Sequence, residues 1–567
     1  MDKLLSSDSL RTIAHEPQTT WHRVRDSFKR AQAPTVPEST LALDIKIDSG
    51  ETSDGNLNKS LKKRQLQMIA LGGCVGSGLF IGSGPALATG GPAALLIGWA
   101  VVSSFLYCTM QSLAELAAVF PVSGSFATYS TRFVDPSWGF AIGWNYALFW
   151  VIVLPLELVA SSMTIQFWKS DINSVVWVAI FYVLIIGLNL CGNKGFGEAE
   201  FVASVIKVLG VVGFNILAIV LICGGGKSGF IGARYWHHPG AFSAGFKGVV
   251  SVLVTAVYSL AGTELIGLTA AESSGDPSVV LPKAIKQVFW RIMLFYMVTL
   301  TMVGFLVPYT SNKLVGHASS DASASPFVIA INAGGIKVLP SIFNVVVLVS
   351  LLAIGNSSVY GFSRTVLALA DQGLAPSIFT YVDRAGRPLA GIALSAFVGL
   401  LSFVAASPKQ SDVFAWLMAL SGLSTLFTWF SVCLAHLRFR MGMKRQGRDL
   451  MELPYTALTG WIGSLYSCVC LVVVLCFQFW TAVWPLGQKP NAKVFFENYL
   501  GAVVVLLFLV GHKIYSRKLN TIVPLDTMDL DTGRRTNDLD LVKQENYEKL
   551  AAYRAMPWYK KVIDFLV

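Results

Sequence analysis

The sequence predicts an all-α polytopic membrane protein with twelve transmembrane helices, and three observations carry that prediction. Apolar residues make up 54% of the 567-residue chain and charged ones only 14%, against about 25% charged in soluble domains. The charges gather in two tails and a few loops, which leaves apolar stretches long enough to cross a hydrocarbon core of about 30 Å. Two of these stretches are interrupted, by the run GGCVGSGLFIGSG from Gly72 to Gly84 and by AGTE from Ala261 to Glu264. Backbone that leaves a helix inside hydrocarbon must give its N–H and C=O groups to something else. In carriers that partner is a substrate or ion held near the bilayer midplane.

Taken in order, the spans are expected at 67–87, 93–118, 138–165, 174–191, 201–224, 247–270, 289–308, 338–360, 388–406, 413–436, 460–483 and 496–515. Residues 1–65 are polar, without the apolar core of a cleavable signal peptide, and are expected to form a disordered cytoplasmic tail. Residues 66–515 form the transporter domain and 516–567 a second cytoplasmic tail. Its end, AAYRAMPWYKKVIDFLV, suits the membrane interface, docking on the inner face, or fraying. Loops on the N-terminal side of the membrane hold more Lys and Arg than those opposite, which puts both termini in the cytoplasm. The net charge of +11 then reflects topology, and no nucleic acid partner is expected. Cysteines lie in or at the ends of spans and read as packing residues, with no disulfide framework. No metal spacing, nucleotide loop, catalytic triad or cofactor motif is present. The pattern therefore argues against an enzyme, and uphill transport would draw on an ion gradient.

The residues at the breaks suit a zwitterion. Gly76, Ser77 and Gly78 let backbone N–H groups approach a ligand, and a half-helix starting there adds about half a positive charge for a carboxylate. Close packing of small residues is the alternative for this helix taken alone. At the second break Gly262 relieves the backbone, while Thr263 and Glu264 set polar groups at mid-membrane. Glu264 has no neighbouring cation in sequence, so it is a candidate for meeting a ligand's ammonium group or for a structural hydrogen bond. Lys207, in FVASVIKVLGVVGF, sits among apolar neighbours. It suits a proton-coupling role if deep, and a headgroup contact if it lies nearer the end of its span. Glu157 follows Pro155 and is expected to brace helices. Glu157 is also a candidate for lining a cavity, as are Asn356, Trp416, Ser421 and Thr425, for each of which polar contacts between helices are the alternative.

Longer stretches carry a family resemblance. GGCVGSGLFIGSGPALATGGPAALLIGW, SLAELAAVFPVSGSFATYSTRFVDP and AGTELIGLTAAESSGDPSVVLPKAIKQVFWRIMLFYMVTLTMVGFLVPY resemble the fungal (yeast-type) amino acid permeases of the amino acid–polyamine–organocation superfamily. The resemblance runs from about residue 60 to the C-terminus. FAWLMALSGLSTLFTW is most similar to the general amino acid permeases. It implies a 5+5 inverted-repeat fold with helices 1 and 6 broken. Gly76, Ser77 and Gly78 would bind the substrate carboxylate, and the carbonyls around Ala261 and Gly262 its ammonium group. Lys207 and Glu264 match residues that the family places in proton coupling and substrate binding. Lys3, Lys29 and Lys46 are candidate ubiquitin acceptors for a ubiquitin ligase acting on the tails, and serines and threonines around 36–60 candidate phosphosites.

The expected activity is proton-coupled uptake of L-amino acids, broad and mainly neutral, across the plasma membrane, with a proton as coupling ion and no cofactor. A permease selective for basic or single amino acids, an exchanger, and a non-transporting amino acid sensor are the alternatives.

Overall fold

The computed structural model describes residues 27–30, 68, 75–122, 124–168, 171–268, 277–315, 325–406, 410–487, 489–517, 522–534, 539–558 and 560. Regular structure among them is helical, with one isolated β-bridge, between Arg30 and Asp383. A π-helical turn, Gly78–Gly82, runs into α1 (Ser83–Gly90). Then come α2 (Pro92–Val119), α3 (Phe126–Phe133), α4 (Pro136–Ile165), α5 (Ser174–Leu190), α6 (Gly192–Ile222), α7 (Gly245–Leu260) and α8 (Leu265–Leu268). The remainder is α9 (Pro277–Leu306), α10 (Pro326–Ala333), α11 (Leu339–Asp371), α12 (Leu389–Gly399), α13 (Gln410–Arg445), α14 (Gly460–Val483), α15 (Ala492–Ser516) and α16 (Leu539–Ala555).

Sequence fixes several of these starts. Asp135 accepts the N–H groups of Ser137 and Trp138 ahead of Pro136, the first residue of α4, so one side chain satisfies two of the donors a helix start leaves open. Asn173 and Asn491 each accept one such N–H, from Val175 and Lys493, at the starts of α5 and α15. Pro92 opens α2 after Gly91, whose φ of 83° no ordinary side chain favours.

Among the described residues nine helical stretches are long and apolar enough to cross a membrane: α2, α4, α6, the α7–α8 pair, α9, α11, α13, α14 and α15. Each coincides with an expected span. Two shorter apolar helices, Ser174–Leu190 and Leu389–Val404, fall where the fourth and ninth spans are expected. The first is α1 with the π-turn before it; Gly72 and Gly73 lie outside the described residues.

α4 is the packing centre, flanked by α11 and α13, while α2 lies along α9 and α7. A buried charge cluster joins α2 to α13. Glu115 meets His436 Nε2 at 3.0 Å and Arg440 at 2.6 Å, and accepts the Ala457 N–H at 2.6 Å. Such clusters hold only with every partner in place, and removing one typically costs about 3–5 kcal/mol.

Both tails touch one face. From the N-terminal tail, Phe28 lies under the Arg387 guanidinium at 4.3 Å, and the Lys29 carbonyl accepts the Arg384 N–H at 2.8 Å. Lys3, Lys46 and the 36–60 region lie outside the described residues. Residues 522–534 form a strap across the ends of α3 and α13. The Val523 N–H donates to the Val134 carbonyl at 3.1 Å, Gln446 donates to the carbonyls of Leu525 and Met528, and Met528 and Leu530 are buried. Asp529 anchors it through Arg132 at 3.0 Å. Burial would raise its carboxyl, but the Thr532 and Asp531 N–H groups and Arg132 outweigh that and draw it down to about 2.

Glu452 is the strap's other anchor, buried and within 2.7 Å of Arg448, 3.6 Å of Arg534 and 3.4 Å of Lys543. Burial would push its carboxyl up, yet Arg448, the Asp449 hydrogen bond and Lys543 hold it below the usual range. A lowered carboxyl contributes stability above its ordinary value of about 4.3 and loses it as pH falls through the depressed one, so at neutral pH the contribution is fully present. Asp526 and Arg445 are 66% exposed each, and such a pair contributes at most about 1 kcal/mol. Glu452→Gln is therefore expected to speed limited proteolysis of 522–534 severalfold at pH 7, while Asp526→Asn leaves it near wild type. Equal rates for the two would remove Glu452 from that role.

Candidate functional site

The two breaks face each other. α7 ends at Leu260; Ala261 is extended with ψ 151°, Gly262 turns back with φ 91°, and α8 begins at Leu265. Only glycine adopts that φ without strain. Opposite, the Gly76 carbonyl accepts the N–H groups of Leu79 (3.1 Å) and Phe80 (2.9 Å), which starts the π-turn at Gly78. The π-turn widens the helix where its first N–H groups are open.

Close approach explains the glycines. A Cβ on Gly78 would stand 2.4 Å from the Ser259 Cα, a backbone atom that cannot swing away. A Cβ on Gly76 would meet the Ile354 side chain at 1.7 Å, an overlap that a rotamer change can relieve. Gly78 therefore sets the distance between the two broken helices.

Ser77 joins three helices. Its Oγ donates to Glu157 Oε1 on α4 at 2.6 Å and lies 3.0 Å from the Tyr258 hydroxyl on α7; Tyr258 also donates to Glu157 Oε1 at 3.4 Å. Tyr296 of α9 holds the Ser259 carbonyl at 2.7 Å. Between them lies a cavity of about 20 Å³ lined by Ser77, Gly78, Tyr258 and Ala261 of the broken helices and by Trp150 and Ile354. That is room for a single water, so the conformation is closed around its site.

Glu264 does not point into this cavity's lining. Both of its carboxylate oxygens accept the Gly262 N–H at 3.2 Å, and Oε2 accepts the Trp429 indole N–H of α13 at 3.1 Å. Thr263 Oγ1 bonds the Leu260 carbonyl at 2.7 Å. Both side chains seal the break.

Lys207 is 1% exposed, which rules out a headgroup contact here, and its Nζ lies 3.9 Å from Glu200 Oε1 two turns earlier on α6. Its charge is felt by Glu157, the carboxyl that Ser77 and Tyr258 bond, as well as by Glu200. Asn356 and Ser357 of α11 face Glu200 short of hydrogen-bond geometry, and Asn189 holds Asn356 Oδ1 at 2.9 Å. Glu200 and Tyr258 are members that sequence reasoning missed. The signal for Glu200 was its spacing, seven residues before Lys207, which puts both on one helix face. The other candidates lie apart from the cavity: Ser421 bonds its own helix at the Leu417 carbonyl, Thr425 is buried on the same helix, and Trp416 is half-buried.

A family model described as amino acid permease matches residues 65–520. The chain belongs to the amino acid permease family. It is therefore a multi-pass membrane protein of a transporter family, not an enzyme. Amino-acid permease GAP6 of Candida albicans is 63% identical over 99% of this chain and 98% of its own length. General amino-acid permease GAP2 of the same organism is 52% identical over 97% and 93%. The crystal structure of the Eremococcus coleocola manganese transporter, in complex with an aromatic bis-isothiourea substituted compound, superposes with a TM-score of 0.53 at 13% identity. That match covers 87% of this chain and 98% of that one, a likeness of fold alone.

Overpacking a tight helix contact costs about 1–3 kcal/mol. Gly78→Ala is expected to lower the detergent-solubilised melting temperature clearly more than Gly76→Ala, and a larger loss at Gly76 would put the tight contact there instead.

Proposed function

We propose that this protein takes up L-amino acids, broadly and mainly neutral ones, together with a proton across the plasma membrane. The observation that carries the reading is that residues of both breaks, Ser77 and Gly78 on one side and Ala261 on the other, line one buried cavity. N–H groups at Gly76, Ser77 and Gly78 would take the substrate carboxylate and the Ala261 carbonyl its ammonium group. The Gly262 carbonyl already accepts the Leu265 N–H at 3.1 Å. Both charges of an amino acid would then be met by backbone, leaving the cavity walls to choose the side chain.

Coupling follows from charge. Glu157, Glu200 and Lys207 are all buried, two carboxyls to one ammonium. Such a group is electrically neutral only with one added proton, and neutrality is what a membrane interior favours. We read Lys207, with Glu157 and Glu200, as the group that takes a proton with the substrate; Glu264 holds the break on which binding depends. The frame would be two inverted five-helix repeats within twelve spans, residues 66–515, both tails cytoplasmic and open to ubiquitin ligase machinery at lysines such as Lys29.

The test is uptake of radiolabelled L-amino acids in permease-deficient cells with and without a protonophore. Accumulation of several neutral amino acids that collapses with the proton gradient is expected, and Lys207→Met should abolish accumulation while the protein still reaches the surface. Uptake indifferent to the protonophore would overturn coupling in favour of exchange. A surface-localised protein that moves nothing would favour a sensor.

A further inference from the structure

A second cavity lies beyond the first. It measures about 330 Å³, within the range of small-molecule sites, and Tyr258 lines both. Its walls come from α7, from the start of α13 at Met418 and Gly422, and from α14 and α15, with Gln478, Thr481 and Asn498 among them. It faces away from the tails. Met418 stands about 30 Å along α13 from Arg438, which reaches the strap's Val523. The described lining includes no charged side chain.

Gln478 is the unusual residue. It lies in the apolar run LCFQFW, only 8% exposed, and amides at such depth are rare outside functional or bracing roles. Its Nε2 donates to the Asn498 carbonyl at 3.3 Å, and Thr481 donates to its Oε1 at 3.4 Å, both long bonds. Bracing of α14 against α15 accounts for the first contact. Thr481 also donates to the Gln478 carbonyl at 3.1 Å and Asn498 Nδ2 to the Val494 carbonyl at 2.8 Å, which leaves the placement of all three polar side chains on one cavity large enough for an amino acid to be explained.

We propose that this vestibule is a second station for the transported amino acid, where Gln478, Thr481 and Asn498 bind a neutral, hydrogen-bonding side chain before Tyr258 moves aside. The inference rests on the transport reading above. A neutral lining admits uncharged side chains, and one neutral hydrogen bond to them is worth roughly a factor of ten in affinity. It also gives α14 and α15, which take no part in the closed site, a share in choosing the substrate.

Initial-rate uptake of glutamine and leucine by wild type, Gln478→Leu and Asn498→Leu, each normalised to surface amount, tests it. Gln478→Leu is expected to raise the KM for glutamine about tenfold and that for leucine less than about twofold, with maximal rates kept. An unchanged glutamine-to-leucine ratio in both variants, or equal losses for both substrates, overturns the station while wild-type uptake leaves the transport reading standing. A surface-expressed wild type that moves neither substrate overturns both. Thr481→Cys gives an independent readout: a membrane-impermeant maleimide should modify it, and glutamine should slow that reaction about fivefold beyond any change at the natural cysteines. Modification that glutamine leaves unslowed overturns the proposal.

Discussion

The Glu264 carboxylate holds the Gly262 N–H on both oxygens at 3.2 Å and the Trp429 indole at 3.1 Å, and the site depends on that arrangement. A helix broken in hydrocarbon exposes donors and acceptors that water cannot reach. A hydrogen bond of this kind contributes about 0.5–1.5 kcal/mol net, and a buried N–H left unpaired costs about 1–3 kcal/mol, so the carboxyl helps fix the turn at Gly262. Because the indole comes from α13, the same carboxylate ties the break to a helix that also packs on α4, α14 and α15. The shape of the gap at Ala261 is thus set by a side chain on one helix and a ring on another. Flexibility of glycine alone would leave it undefined.

From that fixed gap the polar groups run inward in a chain. Ser77 and Tyr258 meet Glu157; Lys207 acts on Glu157 and Glu200; Asn356 and Ser357 flank Glu200. Each is a poor choice for a buried membrane helix on its own. Together they connect the two broken helices to α4, α6 and α11. Charges this deep persist only when each has a partner, so the members of the chain depend on one another.

How much of this was legible in the sequence differs by the range of the forces involved. Span positions follow from local hydropathy, which is why the nine long apolar helices coincide with expected ones. The breaks were legible too, since Gly262 and the glycines at 76 and 78 announce a backbone that a helix cannot keep. The partner of Glu264 was not, because Trp429 lies 165 residues away and no local pattern marks it. The partners of Glu157, Ser77 and Tyr258, lie 80 and 101 residues away and are unmarked for the same reason. The strap at 522–534 mixes Asp and Thr with apolar residues and reads locally as tail, yet it is held by Arg132, Arg438 and Glu452, whose fixed positions on the body supply what the segment lacks alone.

The two cavities together bear on how a substrate enters. Beside the backbone groups proposed to meet a ligand, the side chains of the closed cavity bond one another and Glu157: Ser77 to Glu157, and Tyr258 to both. A ligand there must open roughly an order of magnitude more space, so it favours opening only by its affinity for the opened form over the closed one. The vestibule already measures about 330 Å³; Gln478 Nε2 donates to the Asn498 backbone carbonyl at 3.3 Å and Asn498 Nδ2 to the Val494 carbonyl at 2.8 Å. A ligand there would not need that enlargement. Tyr258 borders both cavities and bonds to Ser77 and Glu157, so any motion that lets a ligand pass also breaks into the chain leading to Lys207. Under the transport reading proposed above, a displacement of Tyr258 would join substrate entry to the buried charges through one hydroxyl.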